Sequence, residues 1–369
     1  WVDKIIETQS SPAYLNFLKT LENDSMKVVF KEKIRKFVNM HERLKITIPL
    51  AKNYYYVFNK KIYSCDSKHE LLSRLISKIM TENINEFQTN IVPSIYSGII
   101  SYINKISANL LKKSNVATYT GNHYGLPNML NIYKKYRRDL RFVRFRSTQN
   151  NLKDLLASLT TLFCVLLKRR ILVFTVPPRK LNNQILSDNL NQFISTEEMK
   201  SLLFMYKKQL LMDLTISNGI FLNYIDILKI INPKFLIAHE MRSVINATLA
   251  DATKHLSIDS YLVSHGTHVT STNNHHCNYE HRVMAKDILA SSMATYNITQ
   301  SPIAVAAINS FFPKLKFVQY GPIMWGYNLI ENSHNLPSEK KSLHILHAST
   351  YKTLTASRPW IFETSDEFY

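Results

Sequence analysis

Short apolar segments alternate with helical stretches from residue 115 onward, and this alternation constrains the fold more than any other feature of the chain. The expected helices are 126–138, 151–167, 241–256, 281–292 and a long tract from about 195 to 231. The expected strands are 116–121, 140–147, 170–178, 233–240, 259–266, 316–322 and 343–350. Strands and helices in this order predict an α/β fold with a parallel sheet.

The first 112 residues have a different pattern. Apolar residues recur at three-to-four spacing in AYLNFLKTLEN and HELLSRLISKIM, which predicts helices. The aromatic, alternating stretch 52–64 favours a strand or hairpin. Near the other end, the polar stretch 328–342 contains a proline and is typical of a linker. We therefore expect a mainly helical region at 1–112, a sheet domain at 113–330, and a linker with the beginning of another domain at 331–369.

The chain is strongly basic, with 46 Lys and Arg against 27 Asp and Glu and a net charge of +19. Such an excess indicates an anionic partner, which could be nucleic acid, a membrane surface or a phosphate-bearing substrate. The basic residues are dispersed, which is also typical of a solvated surface; the densest runs are 31–36, 133–146 and 168–170. Cys65, Cys164 and Cys277 form no CxxC pair, which favours a reducing, cytoplasmic compartment.

The longest apolar run, LLASLTTLFCVLL at 155–167, is shorter than the roughly 20 residues that a membrane-spanning helix needs. It predicts a buried helix that leads into a strand. The sequence therefore does not predict an integral membrane protein, and the basic surface leaves peripheral membrane contact as an alternative.

A histidine-rich stretch, SHGTHVTSTNNHHCNYEH, begins at Ser264. A zinc site needs three or four ligands, usually in short pairs, and His265 and His268 have no second pair at metal-ligand spacing. His265 alone follows an apolar strand and precedes a glycine, so it is the candidate general base; a histidine that only hydrogen-bonds a backbone carbonyl is the alternative. The other histidines are expected to be polar loop residues: His268, His275, His276 and His281.

Five of the seven glycines lie at or just after the ends of predicted strands: Gly121, Gly125, Gly266, Gly321 and Gly326. That edge of an open α/β sheet binds ligands, although ordinary turns also favour glycine. The stretch YTGNHYGLPNML at 119–130 could form an anion cradle, but it lacks both the dinucleotide fingerprint and the P-loop motif. The hydroxyl residues of LHILHAST, with Lys352 close behind, suit a phosphate group.

Three of these segments together resemble a known family: His265-Gly266-Thr267, Gly321-Pro322 and ILHASTYK at 345–352. The combination is similar to the two-domain nucleotide-sugar transferases of the GT-B type, nearest to the CDP-glycerol glycerophosphotransferase and capsule-polysaccharide transferase group. The resemblance covers roughly residues 115 to 369. Ser349 stands where that group usually has proline, Lys352 replaces an arginine, and the Gly-Pro element is only a loose match.

The resemblance implies a Rossmann-like acceptor-side domain at 113–330 and only the beginning of a donor nucleotide-binding domain at 331–369. It implies that His265 is the general base or an acceptor-site residue, and that no cofactor or metal is bound. The implied substrate-binding residues are Gly121, Asn122, His123, Glu240, Arg242, Gly266, Thr267 and His268. The implied donor phosphate-binding residues are Gly321, Ser349, Thr350 and Lys352.

The expected function is therefore transfer of a sugar or polyol phosphate from a nucleotide-sugar or CDP-polyol donor to a polysaccharide or lipid-linked acceptor. The expected location is cytoplasmic, at the inner face of the cell membrane, whose anionic surface would attract the basic chain. Nucleic acid is not an expected partner. Two alternatives remain, a nucleic-acid-binding protein based on the charge and the 20 tyrosines, and a non-catalytic α/β scaffold related to transferases.

Overall fold

The computed structural model of the chain describes residues 2–50, 55–58, 61–64, 95–120, 137–147, 152–179, 181–196, 206–263, 273–299 and 302–319. It begins with three helices, α1 (Val2–Ser10), α2 (Pro12–Thr20) and α3 (Asp24–Leu50). An antiparallel hairpin of β1 (Tyr55–Phe58) and β2 (Lys61–Ser64) follows them. Ser11 caps α2 because its hydroxyl accepts a hydrogen bond from the backbone N–H of Tyr14 at 3.3 Å.

The remaining strands form one sheet: β3 (Asn115–Tyr119), β4 (Leu140–Ser147), β5 (Ile171–Val176), β6 (Leu236–Ala238), β7 (Ser260–Val263), β8 (Tyr296–Thr299) and β9 (Phe317–Gln319). All seven are parallel, in the order β5-β4-β3-β6-β7-β8-β9. The central strands β3 and β6 are buried almost throughout, as expected for a parallel sheet that is covered on both faces.

The described residues contain seven further helices: α4 (Ile95–Leu111), α5 (Leu152–Leu166), α6 (Gln184–Ser195), α7 (Lys207–Ile231), α8 (Val244–His255), α9 (His275–Ala285) and α10 (Pro302–Phe311). Helix α5 contacts α4 and β5, and α7 lies among α3, α4, α6 and α8. Helix α7 ends at Asn232, which has a left-handed backbone (φ 47°) and donates its N–H to the carbonyl of Leu228 at 2.8 Å.

The largest hydrophobic core lies between α7 and the sheet. It contains Tyr224 and Leu228 from α7 together with Phe174 from β5. Gly219 lets α7 approach the loop after β5, since a Cβ at this position would lie only 2.7 Å from the carbonyl oxygen of Arg179. Among the described residues, α7 is the one helix with the length and apolarity to cross a membrane, and most of that apolar stretch is buried inside the protein.

A second core joins the N-terminal helices to α6 and α7. Phe17 stacks on Phe193 of α6 with ring centroids 5.1 Å apart, and Phe30 meets the same ring edge-on at 5.5 Å. The rings of Phe37 and Tyr206 are 3.9 Å apart and nearly parallel. The N-terminal helices α2 and α3 therefore pack directly on helices of the sheet region.

The predicted α/β class with a parallel sheet is confirmed, and the hairpin in 52–64 is present. Strand β8 and the helices α6 and α10 were not predicted from the sequence. The segment YNIT of β8 is short and half polar, so its apolar pattern is weak. Most of the predicted helix 126–138 and all of the predicted strand 343–350 lie outside the described residues.

Two predictions of local environment were wrong. His275, His276 and His281 lie on α9 and not in a loop; Asn274 starts this helix by accepting a hydrogen bond from the N–H of Cys277 at 3.0 Å. The apolar run 155–167 does form a helix that leads into a strand, but that helix, α5, is not buried on its apolar side. It packs on the protein through Asp154, Ser158, Thr161 and Val165 and leaves four leucines exposed, Leu152, Leu156, Leu159 and Leu166.

Candidate functional site

The strand order of the sheet reverses its direction between β3 and β6. From β3 the chain adds β4 and then β5 on one side, and then returns to place β6, β7, β8 and β9 on the other side. In open α/β sheets the loops diverge at such a point and leave a crevice at the carboxyl ends of the strands, where ligands bind. The residues that follow β3 and β6 are therefore the first candidates for a functional site.

Thr120 and His239 meet at this point, although they are 119 positions apart in the chain. The backbone N–H of His239 donates to Thr120 Oγ1 at 3.2 Å, and the N–H of Thr120 donates to the carbonyl of Ile237 at 3.0 Å. His239 Nδ1 lies 3.1 Å from Thr120 Oγ1 and 3.2 Å from the Thr120 carbonyl oxygen. Both residues are buried.

These contacts hold the imidazole ring in place at the sheet edge. A carbonyl oxygen can only accept, whereas a hydroxyl can donate or accept, so Nδ1 either donates to the Thr120 carbonyl or accepts from the Thr120 hydroxyl. Sequence reasoning did not select His239. The available signal was a histidine at the end of the apolar segment FLIAHE, the same pattern that singled out His265.

Glu240, a predicted substrate-binding residue, stabilises the turn that leads into α8, whose N-cap is Ser243. Its carboxylate accepts hydrogen bonds from the backbone N–H of Arg242 at 2.5 Å and of Ser243 at 2.9 Å. It also accepts from the Ser243 hydroxyl at 2.7 Å and from the side-chain amide of Asn246. A carboxylate at this position is favoured by the helix dipole and satisfies otherwise unpaired N–H groups. Glu240 therefore holds the loop after β6 in a defined shape.

Arg242, the other described residue of the predicted set, points to the N-terminal helices. Its guanidinium donates to Glu32 of α3 at 2.7 Å. Arg35, one turn further along α3, binds the other oxygen of the same carboxylate at 2.7 Å. All three side chains are largely shielded from solvent, so this Arg–Glu–Arg cluster joins the loop after β6 to α3.

The cluster lines a small cleft of about 90 Å³ between α1, α3 and α9. Asp287 also lines it, and its carbonyl oxygen accepts the N–H of Met241 at 2.6 Å, which ties this wall to the loop after β6. Four cationic side chains face two carboxylates here: Lys31, Arg35, Arg242 and Lys286 against Glu32 and Asp287. The excess of positive charge favours an anionic group in the cleft.

Burial changes the protonation of two groups in this cleft. It raises the pKa of the Asp287 carboxyl above its usual value, and the hydrogen bond from Ser291 at 2.7 Å opposes only part of this effect. Burial, together with the nearby positive charge of Lys286, lowers the pKa of Lys31. An anion bound in the cleft would stabilise the charged form of Lys31.

The other predicted site residues lie outside the described residues: His265, Gly121, Asn122, His123, Gly266, Thr267, His268, Gly321, Ser349, Thr350 and Lys352. Val263, the last residue of β7, precedes His265 by two positions. Of the predicted set, the structure thus places Glu240 and Arg242, and it places both in the loop after β6.

The histidines on α9 do not form a metal site with their described neighbours. His276 Nε2 lies 3.0 Å from the carboxylate of Asp3 on α1, an exposed contact between two helices. Within the described ranges, no three His, Cys, Asp or Glu side chains are grouped closely enough to hold a metal ion.

Comparison with protein-family models gave no match for this chain, and comparison with curated proteins gave none either. The sheet edge and the cationic cleft beside it are therefore the features of the molecule that bear on function.

Proposed function

We propose that the protein is a transferase that uses a nucleotide-activated donor and has a GT-B-like architecture. The observation that carries the proposal is the strand order, in which the reversal between β3 and β6 brings Thr120 and His239 together at the carboxyl edge. This is the order of Rossmann-like sheets, which bind nucleotides at that edge. The resemblance of the segments at 265–267, 321–322 and 345–352 to GT-B transferases supports the choice of reaction.

In the proposed reaction His265 takes the proton of an acceptor hydroxyl as that oxygen attacks the donor. A bond forms from the acceptor oxygen to the sugar carbon or to the polyol phosphorus. The bond to the nucleotide phosphate oxygen breaks, and the nucleoside diphosphate or monophosphate leaves with the electron pair. Thr350 and Lys352 are the proposed contacts of the donor phosphates, which would stabilise the leaving group.

The described loop after β6 has a supporting role in this proposal. Glu240 holds the loop, His239 lies buried beside Thr120 at the sheet edge, and Arg242 adds positive charge at the cleft. The positive charge suits an acceptor that carries phosphate, such as a lipid-linked or polymeric polyol phosphate. The protein would then work at the inner face of the membrane.

The test has a binding stage and a turnover stage. Calorimetric titration with CDP, UDP, GDP and ADP should show that one of them binds. The His239→Gln variant should bind that nucleotide about two- to tenfold more weakly, the loss expected from one neutral hydrogen bond at the altered sheet edge. Turnover is followed as release of nucleotide from CDP-glycerol and from UDP-sugars in the presence of a membrane extract.

The His265→Ala variant should retain nucleotide binding and lose nucleotide release. His275→Ala, at an exposed position on α9, is the matched control and should behave as the wild type. Failure of all four nucleotides to bind would contradict the proposal. Unchanged release by His265→Ala would remove only the assignment of the base.

A further inference from the structure

The outer surface of α5 is apolar, although the helix faces solvent. Large side chains follow one another at spacings of four and three residues, and each is between 45% and 64% exposed: Leu152, Leu156, Leu159, Phe163 and Leu166. The neighbouring helix α4 adds Ile99, Tyr102 and Leu110, which are also exposed. We call these eight residues the α4–α5 face. Contiguous exposed apolar surfaces of this kind mark interaction sites.

The opposite, buried side of α5 carries three polar residues, Asp154, Ser158 and Thr161, together with Val165. Asp154 pairs with Arg146 of β4 at 3.1 Å, and the hydroxyl of Thr161 donates to the carbonyl of Val173 in β5. Arg146 also donates to Thr175 of β5 at 2.9 Å. These contacts define the rotation of α5 about its axis. The leucines therefore point outward because the polar side of the helix is bonded to the sheet, and turning the helix over would break those bonds.

The exposed charges on α4, α5 and the residues that directly follow them have one sign. Six exposed basic residues lie in these segments: Lys105, Lys112, Lys113, Lys153, Lys168 and Arg169. In the segments 95–113 and 152–169 the only acidic residue is Asp154, which is buried and paired with Arg146. A second copy of this face would bring the basic residues of both copies together, so charge complementarity disfavours self-association. An anionic lipid surface complements both the apolar residues and the cations.

We propose that the α4–α5 face is a membrane-docking surface that lies on an anionic lipid bilayer. With 15 residues α5 is only about 22 Å long, and its polar side is held by the sheet, so it lies in the plane of the interface and does not span the bilayer. The leucines and Phe163 enter the interfacial region, and the lysines contact lipid phosphates. This inference does not depend on the proposed transfer activity, because lipid binding needs no substrate.

The test is co-sedimentation of the purified full chain with vesicles in the absence of nucleotide. Vesicles of phosphatidylcholine with about one third phosphatidylserine should bind the protein, and phosphatidylcholine alone should bind it far more weakly. The double variant Leu159→Gln/Phe163→Gln should bind the anionic vesicles at least about tenfold more weakly. The triple variant Lys112→Gln/Lys113→Gln/Lys153→Gln should lose the preference for anionic lipid and the dependence on salt.

Matched controls separate the face from general hydrophobicity and general charge. Ile185 on α6 is 78% exposed and lies outside the face, so Ile185→Gln should bind as the wild type. The triple variant Lys19→Gln/Lys208→Gln/Lys314→Gln removes the same charge from exposed positions elsewhere and should keep the preference for anionic lipid. Thermal unfolding and circular dichroism should be unchanged in the Leu159→Gln/Phe163→Gln variant, because both side chains are exposed.

Three results would overturn the proposal. The wild type could fail to bind anionic vesicles, or Leu159→Gln/Phe163→Gln could bind them as well as the wild type. Sedimentation velocity could also show a wild-type dimer that becomes monomeric in the same double variant, which would assign the face to a second copy of the chain.

Discussion

Helices α5 and α7 are both apolar in sequence, yet they occupy opposite environments. Helix α7 packs against β5 and against the helices α3, α4, α6 and α8, and nearly every turn of it is buried. Helix α5 lies in the outer layer, buries Asp154, Ser158 and Thr161, and exposes its leucines. Apolar composition alone therefore does not decide burial. The place of a helix among the layers decides it, together with the polar contacts that set its rotation.

The positive charge of the chain shows a related contrast. At the cleft beside Arg242, cations surround the carboxylates of Glu32 and Asp287 and are partly shielded from water. Around α5, the cations are exposed beside apolar side chains. The same excess of lysine and arginine thus forms a polar recess in one place and the border of an apolar surface in the other.

The largest expected effect comes from the one buried acid on α7. Asp213 pairs with Lys33 of α3 at 2.9 Å, and both side chains are shielded. Lys33→Met leaves this carboxylate without its cation and should lower the free energy of unfolding by about 3–5 kcal/mol, as measured by urea denaturation. The double variant Lys33→Met/Asp213→Asn should recover most of that loss.

The corresponding pair on α5 is Arg146 with Asp154, in which Arg146 is 40% exposed. Arg146→Met should cost only about 1 kcal/mol, because solvent screens a half-exposed pair. Equal destabilisation by Lys33→Met and Arg146→Met would show that the environments of α7 and α5 do not differ in this way.

Leucine truncation compares the two helices directly. Leu228→Ala on α7 removes a fully buried side chain and should cost about 2–5 kcal/mol, whereas Leu156→Ala on α5 should change stability by less than about 0.5 kcal/mol. Urea unfolding curves of the two variants measure both effects. A loss at Leu156 as large as that at Leu228 would show that the α4–α5 face is covered within the protein.

Two glycines in helices give opposite predictions. Gly219→Ala on α7 places a methyl group 2.7 Å from the Arg179 carbonyl and should destabilise the protein by about 1–3 kcal/mol. Gly98→Ala on α4 meets no atom within 4 Å and should stabilise it by about 0.5–1 kcal/mol through helix propensity. Thermal unfolding of both variants is the measurement, and destabilisation by Gly98→Ala would mean that α4 is closely packed at that position.

The smallest effects concern the pH dependence of stability. The folded-state pKa of Asp287 is raised by burial, so between its unfolded and folded pKa values the folded state binds more protons than the unfolded state. Stability from this group therefore falls as pH rises through that window, and Asp287→Asn should remove this part of the slope. Unfolding free energies measured between about pH 3.5 and 7 test it.

Asp24 provides a control of opposite sign. Hydrogen bonding to Lys254, and to a lesser extent to Lys27, lowers its pKa in the folded state. Its stabilising contribution is present above the unfolded pKa and is lost as pH falls through the folded pKa, so Asp24→Asn should flatten the acid side of the curve. Slopes of the same sign for Asp24 and Asp287 would contradict the assignment of their environments.

The periodicity of the sequence predicted the fold class and six of the seven sheet strands, because a buried strand is a local apolar run with recognisable ends. Strand β8 was missed because YNIT owes its place to its neighbours β7 and β9, not to its own apolarity. The pairing of Thr120 with His239 could not be predicted, since it depends on which strands are adjacent. The contact of Arg242 with Glu32 could not be predicted for the same reason, whereas the contacts of Glu240 with Arg242, Ser243 and Asn246 are local and were missed.

The sequence by itself determined that this chain forms an α/β protein with a parallel sheet, because alternating apolar strands and helices have few other ways to bury their apolar surfaces. Only the tertiary structure decided the strand order, the meeting of β3 and β6, and the orientation of α5. Each of these depends on contacts between residues far apart in sequence. The leucines of α5 show this most clearly: their spacing predicted a helix, and the bonds of Asp154 and Thr161 to the sheet turned their side chains to the solvent.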